Sequence, residues 1–185
     1  MSRSSQAVVP APSEEEAENS MRRVFIRKVV LNIGVGKSGE AVERASKVLQ
    51  GLTGQKPSQR KAKESIRDFG VHKGEPIGLK VTIRGEGTKE LISRLLAARE
   101  KKMAESCFDV KGSVSFGLKE HIEIPGTKYD PEIGIWGMNV SVLLERPGGR
   151  VTRRLRKPGK VGRGHVVGKE EAMNFFKNQF GVVIE

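Results

Sequence analysis

The sequence predicts an α+β fold of two layers, a mainly antiparallel sheet with helices packed on one face. Two observations carry this. Ile77, Leu79, Val81 and Ile83 alternate with Gly78, Lys80, Thr82 and Arg84, the period-two signature of a strand with one buried face and one basic, polar face. Segments with helical period are interleaved with such strands, yet several neighbouring strands have no helix between them. A doubly wound parallel sheet needs a crossover helix at every step, so a two-layer arrangement fits better.

Residues 1–20 hold Pro10, Pro12, several serines and Glu14, Glu15, Glu16 and Glu18, with almost no bulky apolar group. Such a composition cannot offset the entropy of ordering, and it predicts a disordered acidic tail ahead of one folded domain over 21–185. Val24 to Ile33 is rich in β-branched residues and predicts a strand. After a Gly34-Val35-Gly36 turn, Val42, Ala45, Val48, Leu49 and Leu52 share one helical face, with Ser38 as N-cap and Gly51 and Gly54 marking the end. The strand at Ile77 to Ile83 follows. Thr88 is placed to cap a second helix reaching about Met103, with Leu91, Ile92, Leu95 and Leu96 turned inward. Val114 to Ile124 and Met138 to Leu144 predict further strands. Gly168 to Phe180 predicts a last helix that buries Ala172, Met173, Phe176 and Phe180.

The chain has 34 Lys and Arg against 22 Asp and Glu, a formal net charge of +12. The first 20 residues carry one Arg against four Glu, so the remainder is more basic than the total. A polyanionic partner is expected, and nucleic acid is the commonest one. No apolar run approaches the roughly 18–20 residues of a membrane span, and the first 20 residues lack the apolar stretch of a signal peptide. Cys107 is alone, which excludes a disulfide framework, fits a reducing cytoplasm, and reads as a small buried hydrophobe.

Two segments concentrate the charge. Arg146 to His165 holds eight Lys or Arg and no acid, with five Gly and two Pro; only Val151, Leu155 and Val161 are bulky and apolar. It cannot bury a core of its own, so an extended, loop-like basic arm is expected, contacting RNA through Arg150, Arg153, Arg154, Arg156, Lys157, Lys160 and Arg163. Gln55 to Lys73 carries Lys56, Arg60, Lys61, Lys63, Arg67 and Lys73, broken by Glu64 and Asp68, around one apolar cluster at Ile66 and Phe69. A flexible loop is expected for Arg60, Lys61 and Lys63 after Pro57, and long cations on such a loop suit phosphate contacts. Aromatic residues are scarce, and Phe116, Phe175, Phe176 and Phe180 are claimed by the core. Binding through backbone and shape is therefore expected over a base-stacking sheet.

Enzymatic readings fare poorly. Gly36-Lys37-Ser38 follows a strand as a phosphate-binding loop would, but the Gly needed five residues earlier is Leu31, inside the apolar strand. A nucleotide-dependent enzyme using Lys37 is disfavoured, although the turn leaves amides near Lys37 for some phosphate. His72, His121 and His165 are scattered, so no metal or cofactor site is expected, and His121 reads as an ordinary edge residue. Asp130 and Glu132 flank Pro131 as turn residues. A non-ribosomal RNA chaperone is the third class that the charge permits.

Four segments, LNIGVGKSGE, LTGQKPSQRKAKESIRDFGVHKGEPIGLKVTIRG, FGLKEHIEIPGTKYDPEIGIWGMNV and KEEAMNFF, occur in register over Val24 to Phe180. Together they resemble the large-subunit ribosomal protein family numbered five in bacteria and eleven in the eukaryotic cytosol, which binds 5S rRNA. The basic segment after Arg146-Pro147-Gly148 and the KEEAMNFF helix resemble its archaeal and eukaryotic branch. The resemblance implies a structural, non-enzymatic role in the cytoplasmic ribosome. It implies a seat in the central protuberance, among other ribosomal proteins there, holding 5S rRNA against large-subunit rRNA and reaching toward P-site tRNA. Carried over by position, it implies that Asn32, Gly34, Gly36 and Lys37, with Thr53, Gly54, Gln55, Lys56 and Pro57, lie near 5S rRNA. It places Arg60, Lys61, Lys63, Ser65, Arg67 and Lys73 on a loop approaching tRNA or rRNA, closed by a hairpin at Phe69, Gly70, His72 and Lys73. His72 departs from the Arg or Lys expected there.

Overall fold

The computed structural model describes residues 19–127 and 130–185. In chain order the elements are β1 (Phe25–Gly34), α1 (Glu40–Thr53), β2 (Ser58–Lys61), β3 (Pro76–Ile83), α2 (Gly87–Ala97), β4 (Lys102–Met103), β5 (Ser113–Leu118), β6 (Met138–Glu145), α3 (Lys169–Phe180) and β7 (Val183–Ile184). Five strands form one sheet in the order β2-β3-β1-β6-β5, every neighbouring pair antiparallel. β4 and β7 make a separate parallel pair. The expected disordered tail lies, for residues 1–18, outside the described residues.

One parity of each long strand is buried. Val29, Leu31 and Ile33 of β1, Leu79, Val81 and Ile83 of β3, and Val140, Val142 and Leu144 of β6 join the apolar faces of α1 and α2 in one core. α1 packs against β3 and α2 against β1. α3 lies against β5, where the fully buried Phe176 meets Phe108 edge-on at 5.8 Å between ring centroids, with Phe180 at 5.4 Å. Burying one such ring stabilises the fold by about 1.5–3 kcal/mol. The other parity of the sheet is left without a covering helix, as the two-layer reading requires.

Alternation in β1 would put Ile26 on the opposite face from Val29. A bulge at Arg27 resets the phase: Ile26 pairs with Leu144 and Val29 with Val142, so both face the core. Sequence periodicity does not mark this extra residue.

Several boundaries differ from expectation. Ser38 makes no capping bond; the residue before α1 is Gly39, at φ 93° and ψ −145°, a conformation essentially confined to glycine. Helix α2 stops at Ala97 because Glu100 and Lys101 turn to positive φ and deliver Met103 to the core as part of β4. Strand β5 stops at Leu118. His121 to Glu123 instead form a short 3-10 turn in which His121 is buried, not an edge residue. Its amide donates to the Trp136 carbonyl at 3.0 Å, and the Trp136 amide donates to its Nδ1 at 3.2 Å.

Candidate nucleic-acid interface

The uncovered sheet face is built by pairing. Across the strands, Ser58 lies opposite Lys80, Lys80 opposite Asn32, Asn32 opposite Asn139, and Asn139 opposite Gly117. Directly paired residues point to the same side, so this row presents a hydroxyl, an ammonium and two amides in line. A second row runs from Thr82 through Val30 to Ser141 and Ser115, whose hydroxyls share a 3.1 Å hydrogen bond. Lys28 adds a cation opposite Leu143. Arg60 stands opposite Gly78, and Gly78 opposite Gly34, at the end of the sheet. No aromatic residue occupies these rows. They offer hydrogen bonds and charge to phosphates and ribose hydroxyls, and no stacking platform.

Of the residues expected near 5S rRNA, Asn32 lies in the first row and Gly34 in the row of Arg60 and Gly78 at the end of the sheet. The next turn is used differently from expectation. The Val35 and Gly36 amides both donate to the Ile77 carbonyl at 3.0 Å, tying the turn to β3. They cannot curl around a phosphate, which removes the geometry a nucleotide-hydrolysing loop needs. Lys37 is exposed and contributes its side chain. Thr53 has its hydroxyl committed to the Leu49 carbonyl at 2.6 Å, Gly54 adopts the left-handed cap of α1, and Pro57 is buried. Gln55 and Lys56 remain exposed beside them.

The basic segment after Pro57 is an ordered hairpin, where a flexible loop was expected. Arg60 and Lys61 lie on β2. Beyond it Ala62 donates to the Glu75 carbonyl at 2.8 Å, Gly74 donates to Ala62 at 3.0 Å, and Ile66 and Val71 exchange amide bonds. Ser65 closes the tip by accepting from the Lys73 amide at 2.9 Å. Lys61, Lys63, Arg67 and Lys73 project from this frame, exposed and without an ion-pair partner among the described residues. Holding the backbone fixed lowers the entropy lost when these cations meet phosphate.

The arm lacks α-helix and strand, as expected, but it is fastened. Arg146 donates to the Gly164 carbonyl at 3.0 Å and to Glu171 of α3 at 2.7 Å, and His165 Nε2 sits 2.7 Å from the Pro147 carbonyl. Val151 and Val161 are half-buried, while Leu155 is fully exposed. Arg153 pairs with Glu145 at 2.9 Å, and Arg154 Nε donates to the Lys157 carbonyl. Arg150, Arg156, Lys157, Lys160 and Arg163 are exposed, and their side chains have no partner among the described residues. The arm's available charge is thus smaller than its composition.

Among the described residues no group of three His, Cys, Asp or Glu side chains could hold a metal. Burial pushes the His121 imidazole below its ordinary pKa, with the nearby Glu120 carboxylate opposing. The lone Cys107 is half-buried against the core. Sequence reading missed Lys28, Ser58, Asn139, Ser141 and Ser115 as members of one surface. Alternation exposes each of them, but only strand pairing brings them together.

A bare polar sheet, a cationic hairpin and a fastened basic arm define a class of small basic α+β proteins that meet a structured polyanion over a broad surface. Comparison with known proteins gives the particular family. Residues 19–72 match the family model described as ribosomal protein L5, and residues 76–175 match the model of the same ribosomal family's C-terminus. The large ribosomal subunit protein uL5 of Sulfolobus acidocaldarius is 51% identical, covering 92% of this chain and 96% of its own. Proteins of the same name from Nitrosopumilus maritimus and Aeropyrum pernix are each 47% identical, covering 92% and 94% of this chain and 98% and 95% of theirs. The chain belongs to the ribosomal protein L5 family, with archaeal relatives, as the resemblance implied.

Proposed function

We propose that this chain, a structural protein of the large ribosomal subunit and not an enzyme, binds 5S rRNA through its open sheet face and first turn. Its place is the cytoplasmic ribosome. The basic arm fastens that complex to large-subunit rRNA in the central protuberance, beside other ribosomal proteins, and the hairpin tip reaches P-site tRNA.

The observation that carries this reading is the row Ser58, Lys80, Asn32 and Asn139 across the uncovered sheet. A solvated polar face is ordinary for an antiparallel sheet; what favours RNA here is that a cation, two amides and a hydroxyl line up in one row. Amides and hydroxyls on a rigid sheet match ribose 2′-hydroxyls and phosphates, and the flanking cations neutralise the backbone. Asn32 and Lys37 then serve 5S rRNA directly. Gly54 and Pro57 shape the approach to β2 and keep Gln55 and Lys56 exposed. Arg67 lies in the turn beyond the Ile66–Val71 pair and Lys73 beside Ser65 just behind it, where a transient ligand is reached without disturbing the sheet.

Filter binding of the full chain to 5S rRNA across a salt series tests the assignment. Lys80→Ala with Asn139→Ala is expected to weaken 5S binding strongly, whereas Arg67→Ala with Lys73→Ala is expected to spare it and impair P-site tRNA binding by assembled ribosomes. Unchanged 5S affinity in the sheet variant would remove the sheet from the interface. Equal loss of 5S and tRNA binding in the tip variant would place the hairpin on 5S rRNA instead.

A further inference from the structure

Residues 19–22 lie against the root of the basic arm. They form a turn in which the Met21 amide donates to Asn19 Oδ1 at 3.0 Å and the Arg22 amide to the Asn19 carbonyl at 2.9 Å. A β-carbon built on Gly148 would stand 3.3 Å from Met21 Cε and 3.7 Å from His165 Nε2, so Met21 meets both ends of the arm at one point. Arg150 follows Gly148 by two residues and Arg163 precedes His165 by two, each within about 7 Å of backbone. Of the arm's eight cations, Arg146, Arg153 and Arg154 are committed to Glu171, Glu145 and the Lys157 carbonyl. Arg150, Arg156, Lys157, Lys160 and Arg163 stay exposed, with no partner among the described residues. On the other side of Met21, Glu14, Glu15, Glu16 and Glu18 precede it by three to seven residues, with no cation between. Seven extended residues reach about 25 Å, which is enough to run along such an arm.

We infer that Glu14, Glu15, Glu16 and Glu18 dock on this arm and cover its uncommitted cations while the chain is off the ribosome, an autoinhibitory contact that rRNA displaces. Four carboxylates face five free cations, so the signs and the numbers match. The hairpin carries free cations too, but Met21 is fixed at the root of the arm. A tether this short gives an effective concentration in the millimolar range, so weak pairs suffice to fill the surface. Each exposed pair contributes little, so the contact yields to a denser polyanion. Large-subunit rRNA, held by the sheet as well through 5S rRNA, overcomes the tail. A polyanion that engages the arm alone has no such help and is turned away, which makes the tail a device for selectivity. The inference rests on the reading of the arm as an rRNA contact.

The test uses the full chain and two readouts. Zero-length carbodiimide coupling of the free protein, read by peptide mass spectrometry, should join the Glu14–Glu18 segment to Lys157 or Lys160, and about 1 M salt should abolish it. Products joining that segment to Lys61, Lys63 or Lys73 instead, or found only between two copies of the chain, would overturn the inference. The second readout is affinity for poly(U), a polyanion with no ribosomal site. Glu14→Gln, Glu15→Gln, Glu16→Gln and Glu18→Gln combined should tighten poly(U) binding about fivefold to thirtyfold, the sum of a few exposed pairs, and tighten large-subunit rRNA binding less. In a chain that also carries Arg156→Ala, Lys160→Ala and Arg163→Ala, the same four substitutions should change poly(U) affinity by less than about twofold. A full gain in that background would mean that the tail acts only through net charge, and the inference would fall. Circular dichroism checks that every variant folds. If coupling is absent while the arm substitutions weaken rRNA binding, the tail contact falls and the arm reading stands. If coupling to Lys157 or Lys160 persists while those substitutions leave rRNA binding unchanged, the contact stands and the arm reading falls.

Discussion

His121 shows how one residue's role depends on neighbours distant in sequence. It follows Glu120 in a polar stretch, yet the 3-10 turn buries it and seats Nδ1 under the Trp136 amide, a bond that needs a free lone pair on that nitrogen. Burial lowers its pKa below that of the unfolded chain. Between the two values the unfolded chain binds a proton that the folded chain does not, so stability rises with pH across that window. The contribution is complete above the ordinary histidine value of about 6.5 and is lost as pH falls below it. Denaturant unfolding at pH 7.5 and 5.5 should therefore show a smaller pH difference for His121→Gln than for the wild-type chain. An identical difference in both would refute the assignment. Arg27 is the matching case in a strand: nothing in its own chemistry announces the bulge that turns both Ile26 and Val29 inward.

At the scale of elements, the long strands and the three helices were readable because burial repeats along them, at Leu79, Val81 and Ile83 or at Val42, Ala45, Leu49 and Leu52. The hairpin was implied by the family resemblance at Phe69 to Lys73, and no residue pattern marked it. Its order comes from backbone bonds such as Ala62 to Glu75, which leave no periodic trace in side chains. The arm presents the same lesson with side chains. Arg146 looks like one more surface cation, but its side chain is only 12% exposed and joins the arm's root to Glu171. Arg146→Ala should release that root, lowering stability by about 1–3 kcal/mol, the usual loss for hydrogen bonds to a charged group. Limited trypsin digestion should then cut between residues 150 and 163 faster than in the wild-type chain. Equal cutting rates would mean that His165 and Pro147 hold the arm without it.

For the whole molecule, the net charge of +12 sets the partner class, and the ion pairs decide how much of that charge is available. Binding to large-subunit rRNA should lose salt dependence by roughly 0.7–0.9 in the log–log slope for each phosphate contact removed. Arg156→Ala, Lys160→Ala and Arg163→Ala combined should flatten the slope by about 2–3 on that rule, whereas Arg153→Ala should change it less than any one of these, because its guanidinium is already engaged by the Glu145 carboxylate that it shares with Arg27. A full unit of slope lost with Arg153 alone would show that the pair opens on RNA. The sequence by itself determined the α+β class, the buried faces of the main strands and helices, the polyanionic partner and the family, because periodicity, net charge and ordered motifs are properties of the linear chain. Only the tertiary structure decided that Ser58, Lys80, Asn32 and Asn139 form one row, that Met21 meets the root of the arm at Gly148, and which arginines are spent on the protein itself. Those facts depend on strand register and on contacts between residues far apart in the chain, and neither is written in any local pattern.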